Sequence, residues 1–147
     1  MEFVSHSPEE TAHIATRIAR EIDSLSPTTH ARVIALEGEL GAGKTTFVQA
    51  FVKALNIPAP VKSPTFLLIK KYPHKNGGVY HIDCYRIANS QELVPLEIQS
   101  ILSNPDNIVL IEWSERITEI LPAPRTIVHI DHLDPHTRQF TISEISS

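Results

Sequence analysis

The stretch GELGAGKTT, Gly38–Thr46, fits the phosphate-loop pattern G-x-x-x-x-G-K-[ST] at Gly38, Gly43, Lys44 and Thr45. Backbone N–H groups that converge on a phosphate need glycine where a Cβ would block the approach or where φ is positive. Gly38, Gly41 and Gly43 meet that need. Lys44 then supplies a point charge for the β and γ phosphates, and the Thr45 hydroxyl is the expected Mg²⁺ ligand. The flanks give the motif its context. RVIALE upstream is short, apolar and β-branched, while TTFVQAFVKAL downstream spaces its apolar residues as a helix does. Strand, loop and helix together predict a nucleotide phosphate held at a helix start.

Working outward, Ser7-Pro8-Glu9-Glu10 reads as a helix start, with Ser7 as N-cap, Pro8 at the first position and Glu10 closing a capping box. Ile14, Ile18 and Ile22 make one apolar stripe to about Asp23, with Arg17, Arg20 and Glu21 toward water. The helix after the loop is expected to end near Asn56, before Pro58 and Pro60. TFLLIKKY and GVYHIDCY read as a hairpin that turns at Asn76 to Gly78. Ser90 is the expected cap of a helix broken by Pro95 and resumed through Ile98, Ile101 and Leu102. Ile108 to Ile111 is a buried strand that delivers Glu112-Trp113 to the top of a sheet. A short helical segment, Ser114 to Leu121, precedes RTIVHID and QFTISEI, two strands joined by HLDPHTR.

Composition narrows the classes. The 147 residues, 41% hydrophobic, suit one domain spanning 1–147. No apolar run approaches a membrane span, the start MEFVSHSPEE lacks a signal-peptide core, and a lone cysteine, Cys84, fits a reducing compartment, so a cytoplasmic protein is expected. The net charge of −4 supplies no basic field for nucleic acid. His129, His132 and His136 with Asp131 and Asp134 match no standard zinc spacing and read as a solvated hairpin.

Hydrolysis needs a carboxylate near Mg²⁺ or near the attacking water. Glu112, after the apolar IVLI, is the expected Mg²⁺ ligand, and Asp83, after VYHI, the group that places or activates water. The bland reading of Asp83 is a solvated carboxylate paired with Arg86. His81, in the same run, reads as a structural hydrogen-bonding residue as readily as a catalytic one. No glycine follows an aspartate at the D-x-x-G spacing and N-K-x-D is missing, which favours ATP over GTP; the only Gly-Gly pair follows Asn76, which excludes an ABC-type signature.

GELGAGKTTFVQAF, VKSPTF at Val61–Phe66, YHIDCYR at Tyr80–Arg86, IEWSE at Ile111–Glu115 and Leu121-Pro122 together resemble the TsaE (YjeE) family. That resemblance implies an α/β, P-loop NTPase fold: a central mostly parallel sheet flanked by helices, with antiparallel hairpin additions. It implies a weak Mg²⁺-dependent ATPase of the machinery that makes threonylcarbamoyladenosine in tRNA, associating with the TsaB and TsaD proteins and reaching tRNA through that complex, with no membrane. By the same resemblance, Lys44, Asp83 and Glu112 are the catalytic set, and Thr45 and Glu112 bind Mg²⁺. ATP contacts fall on Gly38, Glu39, Leu40, Gly41, Ala42, Gly43, Lys44, Thr45, Thr46 and Thr65, with Glu9, Thr11 and Arg138 added. Ser63-Pro64-Thr65 looks like a switch loop that senses the γ-phosphate. Pro95-Leu96-Glu97 and Thr137 stand where relatives can carry glycine. A small-molecule kinase, with Arg86 and Arg116 as the only evident lid arginines, and a non-hydrolysing nucleotide-dependent scaffold are the alternative readings.

Overall fold

The computed structural model describes residues 1–24, 28–38, 43–58 and 69–145. The chain runs β1 (Glu2–Ser5), α1 (Pro8–Asp23), β2 (Arg32–Gly38), α2 (Lys44–Ala54), β3 (Ile69–His74), β4 (Gly77–Asp83), α3 (Ile98–Ser103), β5 (Ile108–Glu112), β6 (Arg125–Asp134) and β7 (Thr137–Ile145). Among the described residues, one seven-stranded sheet holds the strands in the order β1-β7-β6-β2-β5-β4-β3. β6, β2, β5 and β4 are parallel, while β3, β7 and β1 pair antiparallel at the two sides. The expected parallel centre with antiparallel additions is therefore present.

Alternation along the central strands sends two apolar sets to opposite faces. Ile34 and Leu36 pack against Phe47, Phe51 and the α1 stripe of Ile14, Ile18 and Ile22. Val33 and Ile111 pack with Leu93, Ile98, Leu102 and Ile117 on the other face. β5 is buried at all five positions, as its unbroken apolar run requires. Ser7 caps α1 as expected, accepting from the Glu10 N–H at 3.1 Å, but the Glu10 carboxylate accepts from the His6 N–H, one residue before the cap, in place of the Ser7 N–H of a capping box. α2 stops at Ala54, and Asn56 takes a left-handed φ of 63° just beyond it.

Local expectations fail in three further places, each for a tertiary or capping reason. The first hairpin turns at Lys75-Asn76, and Gly77 and Gly78 are already paired strand residues. A Cβ on Gly77 would stand 2.5 Å from the Asp106 carbonyl oxygen, so the glycine admits the 106–107 backbone and is not needed for the turn. Asn89, not Ser90, caps the next segment, in a reciprocal box with Glu92; it is a 3₁₀ helix, Ser90–Leu96, before α3. Glu97 joins the two at a φ of 60°, a conformation that glycine would adopt without strain. HLDPHTR is mostly strand: β6 and β7 run until only Pro135-His136 remain as the turn. Ser114–Leu121 forms two 3₁₀ turns, Ser114–Arg116 and Thr118–Ile120.

Candidate active site

β2 ends at Gly38 and α2 starts at Lys44, so strand and helix meet where the phosphate loop was read. Glu39, Leu40, Gly41 and Ala42 lie outside the described residues, as do Ser63, Pro64 and Thr65. The two ends of the loop require glycine. Gly38 has a φ of 137° and its Cβ would meet the Ile130 oxygen at 2.5 Å. Gly43 has a φ of 101°, and its Cβ would stand 3.1 Å from both Cδ and Nε of Arg138. Arg138, four-fifths of the chain away from the first helix, thus lies against the start of α2. Its strand partner is Ser5, which leads directly into α1, so the Glu9–Thr11 turn and Arg138 arrive at one end of the sheet.

Lys44 is buried, donates from Nζ to the Gly38 carbonyl at 2.9 Å, and lies 4.4 Å from the centre of the Trp113 ring. Trp113 is half-buried. It has a left-handed φ of 59°, a strained state for a bulky residue, held by contact with Tyr85 at 5.2 Å and with the Arg116 guanidinium at 5.8 Å. The ring packs at the margin of the second core and at the same time covers the Lys44 ammonium.

Glu112 pairs in register with Leu36 on one side and Asp83 on the other. Strand parity turns Glu112, Asp83 and His81 to the face that carries α2. Glu112 is buried, and its Oε2 lies 2.6 Å from His81 Nε2. Oε1 makes no hydrogen bond among the described residues. Asp83 is half-buried and accepts the Tyr85 N–H at 2.9 Å; no ion pair joins it to Arg86 among the described residues. Thr45 is exposed and Thr46 half-buried. The Thr45 hydroxyl and the Glu112 carboxylate would together make an all-oxygen donor set, which suits Mg²⁺.

Thr11 stands apart from this pattern. Ser5 Oγ gives its proton to the Ser7 carbonyl, so the buried 2.7 Å contact between Ser5 and Thr11 is a bond that Thr11 donates. Its proton ties α1 to β1. Glu9 is exposed. Cys84, directly after β4, is fully buried, and burial pushes its thiol up to about 12, which makes it inert filler.

On the opposite face of the sheet, a pocket of about 540 Å³ opens beside Gly38 and Trp113, lined by Glu37, Glu115, His129 and Asp131. Burial pulls the His129 ring down, but its bonds to Asp131 at 3.0 Å and Glu37 at 3.4 Å outweigh it and hold the ring above its ordinary value.

The family described as "Threonylcarbamoyl adenosine biosynthesis protein TsaE" matches residues 5–140. The chain belongs to the TsaE family. The tRNA threonylcarbamoyladenosine biosynthesis protein TsaE of Bacillus subtilis is 35% identical over 144 residues, covering 96% of this chain and 84% of that protein. Its counterpart in Treponema pallidum is 32% identical over 143 residues, 97% of this chain and 100% of that one. The crystal structure of Bacillus subtilis YdiB is similar to this fold with a TM-score of 0.79 at 31% identity, across 99% of this chain and 86% of that one. Within this TsaE-family fold, the sequence reading missed two contacts. The His81–Glu112 bond depends on the register of β4 with β5, which no local pattern specifies. The Lys44–Trp113–Tyr85 stack depends on the left-handed turn at Trp113.

Proposed function

We propose that the chain is a Mg²⁺-dependent ATP hydrolase that serves threonylcarbamoyladenosine formation in tRNA, acting through nucleotide-controlled association with TsaB and TsaD. Membership of the TsaE family supports the pathway. One observation carries the chemistry: Lys44 and Thr45 begin α2 while Glu112 ends the neighbouring strand, level with Leu36, two residues before the loop opens, and facing α2. Phosphoryl transfer asks a protein mainly to position groups and to stabilise charge.

The start of α2 offers N–H groups to a phosphate, and Lys44 exchanges its bond to the Gly38 carbonyl for a phosphate oxygen. Arg138, pressed on Gly43, adds a second cation at the same helix end. Thr45 and Glu112 would hold Mg²⁺, which would supply charge neutralisation to the phosphates when bound. Asp83, level with Glu112, orients water. Because Lys44 rests on Trp113, and Trp113 on Tyr85 and Arg116, movement of the ammonium toward phosphate reaches the surface around Tyr85, where a partner can read it.

Phosphate release from ATP, measured with and without TsaB and TsaD, tests the reading. Lys44→Ala and Glu112→Ala are each expected to lower turnover by about 100-fold or more. Wild-type turnover in either variant sinks the assignment. Inorganic phosphate without a phosphorylated acceptor excludes a kinase, and turnover unmoved by the partners removes the nucleotide-controlled association.

A further inference from the structure

β4 and β5 are parallel neighbours, with His81 level with Leu110 and Asp83 level with Glu112. His81 is therefore diagonal to Glu112 on the α2 face, close enough for Nε2 to reach Oε2 at 2.6 Å. The residue is fully buried, and Nδ1 has no hydrogen-bond partner among the described residues. That asymmetry settles the direction of the bond. A buried N–H without an acceptor costs about 1–3 kcal/mol, whereas a bare ring nitrogen leaves only a lone pair unused. The ring proton thus sits on Nε2 and is donated to the carboxylate.

A glutamate at a strand end has three side-chain torsions, and fixing a side chain of this type costs about 1.5–2 kcal/mol of rotamer freedom. A cation-binding carboxylate must be fixed without losing its charge. Lysine or arginine in place of His81 would hold Glu112 and also cancel the charge that a divalent cation needs. A single ring N–H on Oε2 holds it and leaves Oε1 to face a cation. Lys44, at the start of α2, is bound to Gly38 and Trp113.

We propose that His81 is the positioning residue for Glu112: its Nε2–H ties Oε2 in place and leaves Oε1 as the oxygen for the cation of Mg-ATP. This rests on the Mg-ATP reading above. His81 touches neither nucleotide nor reacting atoms. Its effect is to raise cation affinity, not to bind the nucleotide itself.

The test is equilibrium binding of a non-hydrolysable ATP analogue to the full chain, in EDTA and across a Mg²⁺ titration. Wild type is compared with His81→Gln, whose amide N–H reaches about as far as Nε2, and with His81→Asn and His81→Met, which offer no donor at that reach. Thermal unfolding identifies the variants that are folded, and the Met variant carries the comparison if the Asn variant is not. The half-saturating Mg²⁺ concentration is expected to rise about tenfold or more in the Asn and Met variants and to return close to wild type in the Gln variant. Affinity in EDTA is expected to be the same in all of them. Equal Mg²⁺ titrations in wild type and the donor-less variants overturn the inference, and so does an equal loss of affinity in EDTA, which marks a packing role. Binding by wild type that does not respond to Mg²⁺ removes the Mg-ATP reading and this inference with it.

Discussion

Two hairpins flank the parallel strands, β3–β4 and β6–β7, and each turns through two residues, yet they are mounted in opposite senses. The Lys75-Asn76 turn precedes β4 and lies at the N-terminal ends of the parallel strands. The Pro135-His136 turn follows β6 and lies at their C-terminal ends, where α/β sheets bind ligands. The first turn is held down. Gly78 donates to Asn107 Oδ1 at 3.0 Å, Gly77 abuts Asp106, and Asp23 reaches both His74 and Lys75. The second carries Arg138 to Gly43, while Leu133 and His132 lie exposed beside it. One supersecondary unit, inserted twice, secures one end of the sheet and equips the other for binding.

The contrast breaks most directly at Gly77. A methyl group there meets a backbone oxygen at 2.5 Å, and backbone yields less readily than a side chain. Gly77→Ala is expected to cost about 3 kcal/mol of stability in urea unfolding and to leave analogue affinity of the folded protein unchanged. Unaltered stability would show that the lower end is not clamped.

Arg138→Ala is the mirror experiment at the other end. Charge-assisted hydrogen bonds to phosphate are worth about 1.5–3 kcal/mol, so analogue affinity is expected to fall about tenfold or more while the unfolding midpoint moves little. A variant that loses stability and keeps its affinity would make the β6–β7 hairpin structural as well, and the contrast would vanish.

Both ends explain what could be read from the chain alone. Ser7-Pro8-Glu9-Glu10, the run Ile108–Ile111 and the strand-loop-helix around Gly38–Thr46 are local patterns, and each forms as its own residues direct. Gly77-Gly78 looked like a turn because glycine serves both turns and close approaches, and only the arrival of Asp106 and Asn107 tells them apart. The expected HLDPHTR loop shortened to two residues because register with β7 extended β6 through Asp134. Among the site residues, Glu112 and Asp83 stand at the C-terminal ends of parallel strands, as their strand-end positions suggested, while Arg138, expected only from the family resemblance, is brought to that end by the β6–β7 hairpin. His81 could be read as a hydrogen-bonding residue but without its partner, since alternation shows which face a residue takes and not which neighbour it meets.

Asp23 gives the smallest and most easily titrated contrast. It ends α1 and accepts from Lys75 at 2.8 Å and from His74 at 3.2 Å, joining the helix to the lower turn. Burial pushes this carboxyl upward, but the bonds to Lys75 and His74 outweigh it and hold the group below its ordinary value of 3.8. A carboxyl depressed by folding stabilises the native state fully above its unfolded value, and that contribution is lost as pH falls through the folded one. The affected window therefore lies at and below 3.8, and neutral stability carries the whole effect. With Lys75 mostly in water, the pair is worth at most about 1 kcal/mol, and less at high salt. Asp23→Asn is expected to lower the unfolding midpoint slightly at pH 7 and to make the variant and wild type converge in acid. The same substitution leaves analogue binding untouched if the lower turn serves only to hold. A change in Mg²⁺-dependent binding on losing a carboxylate at this end would mean that the two ends of the sheet communicate, and that the division of labour between the hairpins is incomplete.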